Sequence, residues 1–228
     1  EPFKKRMTEL WNYERYDLPV RRGDRYFYSR IDGLQNQSVL YVADSLQGQP
    51  RVLLDPNTFS KDATIALAEI VPSPDGKLLA YSLSDGGTDW RTWHFRDVAT
   101  GADLPDVLHF MKFALVNWTA DSRTVYYARY PLRADGSGDD TKQREVYWHK
   151  LGTAQDADER VFKVVDHPTR NPFVQITDDF RYLVISLYDG SQQTGIYYRT
   201  LGSDGAPSGE VVRLFDTFDA AYDFLGKR

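Results

Sequence analysis

One short pattern recurs along the chain and narrows the folds open to it. SPDGKLLAYSL (73–83), NWTADSRTVYYARY (117–130) and ITDDFRYLVISLY (176–188) each pass from a Ser or Thr through an Asp-containing turn and a basic residue into an apolar strand. RRGDRYFYS (21–29) is a weaker version of the same unit. The turn aspartates Asp24, Asp75, Asp121 and Asp179 lie 51, 46 and 58 residues apart. A recurrence of about 40–50 residues built from strand and turn alone signals propeller blades of four strands each. One twisted four-stranded sheet cannot bury both of its faces alone, so such sheets stack on one another.

The pattern between the repeats agrees. RYFYSR (25–30) and SVLYVAD (38–44) cluster β-formers around Asp32-Gly33, and RVLLD (51–55) follows Gly48-Gln49-Pro50. Fifteen Tyr, 12 Phe and 5 Trp in 228 residues suit pleated, half-buried surfaces. Residues 1–12 differ, because Phe3, Met7, Leu10 and Trp11 fall at helical spacing. The expected fold is therefore all-β: a β-propeller of four-stranded antiparallel blades, with a short N-terminal helix over 1–12. The blades are expected at about 20–66, 67–113, 114–169 and 170–222. LRADGSGDDTKQRE (132–145) interrupts the longest interval, and its polar, Gly-rich composition predicts a mobile surface loop. YDFLGKR (222–228) resembles the approach to another turn at Gly226-Lys227, where a fifth repeat would begin.

Several function classes are poorly served by these residues. The 28 basic residues are scattered among 33 acidic ones with no basic stripe, which argues against nucleic acid. No apolar run approaches the roughly 18 residues of a membrane span, and the charged opening EPFKKR is no signal peptide. Cytoplasmic and periplasmic settings both stay open. Zero Cys removes disulfides, thiolate nucleophiles and Cys-based zinc sites. Ser137 in DGSGD lacks the first Gly and the following helix of a nucleophile elbow. Asp135, Ser137 and Asp139 have calcium-loop spacing, but Asp140 and Val146 stand where such a loop needs Gly and Glu. His94, His109, His149 and His167 form no pair at ligand spacing, and His94 and His149 read as structural residues beside Trp. No metal, cofactor or complete catalytic machine is expected from these residues.

Three features exceed what plain β-structure needs. Asp89 and Trp90 follow a strand in the Gly-containing turn of LSDGGTDWRT, where an Asx-turn with a packed Trp is the simpler reading. Phe113 ends MKF before ALVNWT, and core packing is the default for a Phe. Tyr188-Asp189-Gly190 ends a strand in what could be only a hairpin.

RMTELWNYERY, GLQNQSVLYVADS, RVLLDPNT, SPDGKLLAYSLSDGGTDWRT, DVATGADLPD and FDTFDAAYDF together resemble prolyl oligopeptidases almost end to end. The resemblance implies the first four blades of a seven-bladed ring, joined to a C-terminal α/β-hydrolase domain. That domain carries a Ser-Asp-His triad and cleaves short peptides after proline, so no catalytic residue is expected in this chain. The propeller gates access and lines the outer substrate pocket. Residues 1–12 correspond to the end of the segment that packs on the hydrolase domain, and loop 132–145 to a flexible loop linked to substrate entry. By the same resemblance Asp89, with Trp90 beside it, supplies a carboxylate facing the active-site cavity. Phe113 lines the pocket for the residue two positions before the proline. Asn171, Tyr188 and Ser191 stand where relatives carry a Met, an Arg and a Cys, which implies a more polar pocket here. The implied partners are the hydrolase domain and short proline-containing peptides, without nucleic acid or membrane. Two other readings compete: a non-catalytic propeller binding peptide or protein, and the propeller of another oligopeptidase of the superfamily. Four blades of a seven-bladed ring would leave two unpaired sheet edges, so the isolated chain is expected to associate or be unstable.

Overall fold

The computed structural model describes residues 1–165, 167–190 and 192–226. Helix α1 (Pro2–Trp11) begins with Pro at its first turn, where the missing N–H costs nothing. Every residue of α1 is exposed, including its apolar stripe. The rest is sheet.

The first sheet holds β1 (Arg15–Tyr16), β2 (Val20–Arg22), β3 (Arg25–Ile31), β4 (Val39–Ala43) and β5 (Arg51–Leu54), in the order β1-β3-β4-β5. β2 also pairs with β3, so β1 and β2 share one of its edges and this sheet has five strands rather than four. The second sheet runs β6 (Ile65–Pro72), β7 (Leu78–Asp85), β8 (Arg91–Asp97) and β9 (Asp103–Met111) in order. The third holds β10 (Asn117–Trp118), β11 (Thr124–Arg129), β12 (Glu145–Lys150) and β13 (Glu159–Phe162). The fourth holds β14 (Arg170–Ile176), β15 (Tyr182–Asp189), β16 (Gln193–Leu201) and β17 (Pro207–Phe215). The expected architecture of four antiparallel sheets behind one short helix is thus present.

The three strong repeats close their first hairpins in one way. Ser73, Thr119 and Thr177 each donate a side-chain hydroxyl to the Asp two residues on, at 2.7, 2.6 and 2.7 Å. Their backbone N–H groups bond across the loop to Leu78, Thr124 and Tyr182. The residue after each Asp is left-handed: Gly76, Ser122 and Phe180, at φ 70°, 56° and 57°. Only glycine adopts that conformation without strain, so the side-chain bonds help to hold Ser122 and Phe180 there. The weaker repeat at Asp24 is instead a two-residue hairpin turn between Arg22 and Arg25.

The chain divides into two compact units, Glu1–Asp89 with His94–Leu104, and Trp90–Trp93 with Pro105–Arg228. In the first, Phe27, Leu40, Val42 and Leu54 pack with Leu79, Tyr81 and Val98. Burying each such side chain contributes about 1.5–3 kcal/mol. LLDPNT forms a short 3-10 turn, Pro56–Thr58, capped by Asp55. Asn57 and Gln37 exchange hydrogen bonds, and Gln37 then donates to the Ile65 carbonyl and accepts from the Leu67 N–H. That amide clamp accounts for the polar residues of GLQNQS and DPNT.

In the second unit, Tyr126, Ala128, Val146 and Val161 pack with Leu183, Ile185, Leu187, Tyr197 and Phe218. β11 and β15 are near-continuous apolar runs because both faces are covered. The outer strand β17 is largely exposed and carries Glu210 and Arg213, charges that discourage pairing at an edge. The terminal segment returns to β16 through Thr194 N–H to the Ala220 carbonyl. Lys227, expected at a further turn, lies outside the described residues.

Candidate functional site

The strongest site lies in the second unit, where the segment after β9 meets β14 and β15. Two bulky residues at the end of β9, Phe110 and Phe113, have left-handed backbones with φ 64° and 51°. Phe113 remains 63 % exposed. It shares a cleft of about 670 Å³ with Leu115, Phe173, Ser186 and Tyr188, among others. In the β14–β15 register Asn171 lies opposite Tyr188, and Phe173 opposite Ser186. The Phe173 and Tyr188 rings meet edge to face at 5.0 Å. Among the described residues that line the cleft, Ser186 and Tyr188 supply hydroxyls and Gln175 an amide, with no carboxylate, imidazole or ammonium group. This chemistry suits binding an apolar side chain and offers no nucleophile paired with a base.

Arg144 organises the cleft wall from behind. Its residue is only 3 % exposed. One guanidinium nitrogen donates to the carbonyls of Lys112 and Phe113 at 3.0 and 3.3 Å. The guanidinium carbon lies 4.0 Å from the centre of the Phe173 ring. The Arg144 backbone N–H donates to Asn171 Oδ1 at 3.2 Å. Asn171 therefore anchors Arg144 instead of lining the cleft.

The adjoining loop, expected to be mobile from its composition, is bonded both internally and to its surroundings. Leu132 bridges to Gly138, Arg133 N–H donates to the Ser137 carbonyl, and Asp139 N–H donates to Pro131. Lys112 reaches Asp140 at 2.7 Å and sits 4.2 Å from the Trp90 ring centre. Trp90 also meets Tyr130 edge to face. A Cβ on Gly138 would lie 2.7 Å from the Trp90 ring, so only glycine passes there. The hydrogen bond and charge of Lys112 outweigh desolvation and hold the Asp140 carboxyl below its ordinary range.

The sequence-named residues thus separate. Phe113 and Tyr188 line one cleft, Asn171 stands behind it, and Trp90 supports the loop. Asp89 is exposed and belongs to the other compact unit. Ser191 lies outside the described residues. Sequence reasoning missed Arg144 and Phe173. Phe173 alternates with Gln175 on one face of β14, a period-2 signal that could have found it; Arg144 carries no such local sign.

A second polar constellation is buried beneath β11. His149 Nδ1 lies 2.7 Å from Asp158, and its Nε2 lies 3.2 Å from Asp106. Tyr127 donates its hydroxyl to the other Asp158 oxygen at 2.7 Å. The three side chains are 1–2 % exposed, so this His-Asp grouping has no route to a substrate and acts as a staple. His94, in the first unit, stacks on Tyr81.

The family described as prolyl oligopeptidase, N-terminal beta-propeller domain, matches residues 1–227. The chain belongs to this family. Its similarity to individual prolyl oligopeptidases is also extensive. A prolyl endopeptidase of Elizabethkingia meningoseptica is 37 % identical over 203 residues, covering 88 % of this chain and 28 % of that protein. A solved chain from work on two prolyl endopeptidases and their inter-domain dynamics has TM-score 0.86 and 36 % identity. It covers 99 % of this chain and 32 % of its own length. Prolyl oligopeptidase B of Galerina marginata, bound to a 35-residue hydrolysis and macrocyclization substrate, has TM-score 0.87 and 26 % identity, with 98 % and 35 % coverage. The chain therefore spans about a third of the length of these prolyl oligopeptidases.

Proposed function

We propose that this chain is the propeller portion of a serine endopeptidase that cleaves short peptides after proline. A C-terminal α/β-hydrolase domain supplies the Ser-Asp-His triad, and this portion gates access and lines the outer substrate pocket. The observation that carries the reading is the family match across residues 1–227, together with a cleft whose lining is apolar and aromatic. In this reading Phe113 and Tyr188 contact the peptide residue two positions before the proline. Asn171 acts on the pocket indirectly, by anchoring Arg144. Asp89 offers a carboxylate to the peptide amine, and Trp90 supports the entry loop. Among the described residues no helix is long and apolar enough to cross a membrane.

The test is hydrolysis of a Gly-Pro chromogenic amide by the full-length protein and by the 228-residue chain. The full-length protein should cleave it and lose activity to a serine-directed reagent, while the shorter chain stays inactive. Preference for an amide after arginine would replace the reading with a basic-specific oligopeptidase. Activity of the shorter chain alone would overturn the division of roles.

A further inference from the structure

We infer that Arg144 is the specificity-determining residue of the cleft, positioning Phe113 and selecting against cationic side chains. The inference rests on the functional reading above for its substrate and on the geometry for the rest. Arg144 is a nearly fully buried cation, and among the described residues no carboxylate lies within ion-pair distance of it. Its Nε has no hydrogen-bond partner. A buried charge without a counter-ion is costly, and a fold that needed only packing here would be served by an apolar residue of similar volume. Two consequences follow from where the charge sits.

The first is positional. Lys112 and Phe113 present adjacent carbonyls to a single guanidinium nitrogen, and Phe113 is held there in a left-handed conformation unfavourable for an aromatic residue. The same side chain stacks on Phe173, and its backbone is tied to Asn171. Arg144 thus fixes the distance between the two aromatic walls, Phe113 and Phe173. A lysine in its place has a point charge without the planar fork, so it can hold one carbonyl but cannot stack in the same way.

The second is electrostatic. The guanidinium lies directly behind the Phe173 ring, and the residues lining the cleft include no acid to offset it. A lysine or arginine side chain entering the cleft meets a like charge that no described lining residue offsets. Bulky apolar and aromatic side chains meet no such penalty.

The experiment uses full-length protein and peptides that differ only in the residue two positions before proline: Gly, Leu, Phe or Lys. The wild type should prefer Leu and Phe over both Gly and Lys. Arg144→Met should reduce the Leu-to-Gly ratio of kcat/KM about tenfold, mainly through KM, and reduce the Leu-to-Lys ratio further. Arg144→Lys should restore much of the discrimination against Lys but not the Leu-to-Gly ratio. Arg123→Met, exposed in the β10–β11 hairpin, should leave both ratios at wild-type values. Equal losses on all four peptides would reduce Arg144 to a structural residue and overturn the inference. A Phe113→Trp reporter supplies an independent arm: adding Arg144→Met should change its emission and acrylamide quenching, and an unchanged reporter would refute positioning. Should wild-type protein cleave none of the peptides, the functional reading fails, while the reporter still decides whether Arg144 holds position 113.

Discussion

Asp158→Ala tests the buried staple of the second unit. One Asp158 oxygen faces His149 Nδ1 and the other accepts from the Tyr127 hydroxyl, both at 2.7 Å. Tyr127 in turn accepts from Gln155 Nε2 at 3.1 Å. These contacts join β11, β12 and the turn at 155–158, while Asp106 brings in β9 through His149. Truncating Asp158 leaves two buried donors without their acceptor, at about 1–3 kcal/mol each. Summed over the two contacts, the expected loss is about 2–6 kcal/mol. That is a large share of a typical domain stability of about 5–15 kcal/mol. Tyr127→Phe removes one donor and leaves the His149 contact, so it should cost about 1–2 kcal/mol. Burial, then the neighbouring Asp158, also pushes the Tyr127 phenol upward, consistent with a hydroxyl that keeps its proton to donate. The two changes must be non-additive, because once Asp158 is gone Tyr127→Phe deletes a hydroxyl that has no acceptor. Urea unfolding at neutral pH, followed by circular dichroism and tryptophan fluorescence, measures all three variants. A loss below about 1 kcal/mol for Asp158→Ala, or additivity within about 0.5 kcal/mol in the double variant, would refute the reasoning.

Three further outcomes are expected. Gly205→Ala should cost about 2–4 kcal/mol, combining left-handed strain with a Cβ placed against Thr119, whereas Gly86→Ala should cost only about 1 kcal/mol because open space surrounds it; equal losses in thermal unfolding would exclude the steric part. Burial, then Asp103, pushes Tyr81 up to about 12, while an unfolded tyrosine titrates near 10. The folded state therefore keeps a proton that the unfolded state releases, and this stabilisation is full below about pH 10 and lost toward about pH 12. Wild-type stability should fall more steeply than that of Tyr81→Phe across that window, and parallel curves would remove the linkage. Asp140→Asn should release the bonded loop and speed tryptic cutting after Arg133 several-fold, with unchanged cutting showing that backbone bonds alone hold it.

The hairpins were legible because their chemistry is local. A hydroxyl, an Asp two residues later and a basic residue before an apolar run specify a closed loop without distant help, and Ser73, Thr119 and Thr177 show it. The extra strand of the first sheet was not legible, since β1 is two residues long and depends on its register with β3. The bonds of the 131–144 loop were not legible because composition describes its own residues, while Lys112 and Trp90, which contact it, lie well before it in sequence. The cleft was half legible. Phe113 and Tyr188 came from resemblance to relatives. Arg144 read as one more charge in a polar stretch, and nothing near it in sequence announces a left-handed phenylalanine whose carbonyl it holds.

The turns of the second unit carry an evolutionary consequence. Strands of an antiparallel sheet alternate direction, so the β10–β11 and β16–β17 turns share one end of their sheets and the 131–144 loop emerges at the other. At the first end Gly205 abuts Thr119, and Tyr126 donates to the Gly205 carbonyl at 2.8 Å. No residue can be inserted there without prising two hairpins apart. At the other end a loop of more than a dozen residues is accommodated next to the cleft. Length variation among descendants of this fold should therefore collect at the end that carries the cleft, leaving the opposite end nearly invariant in length. New specificities can then arise by lengthening or trimming a single loop, with the stacking of the sheets untouched.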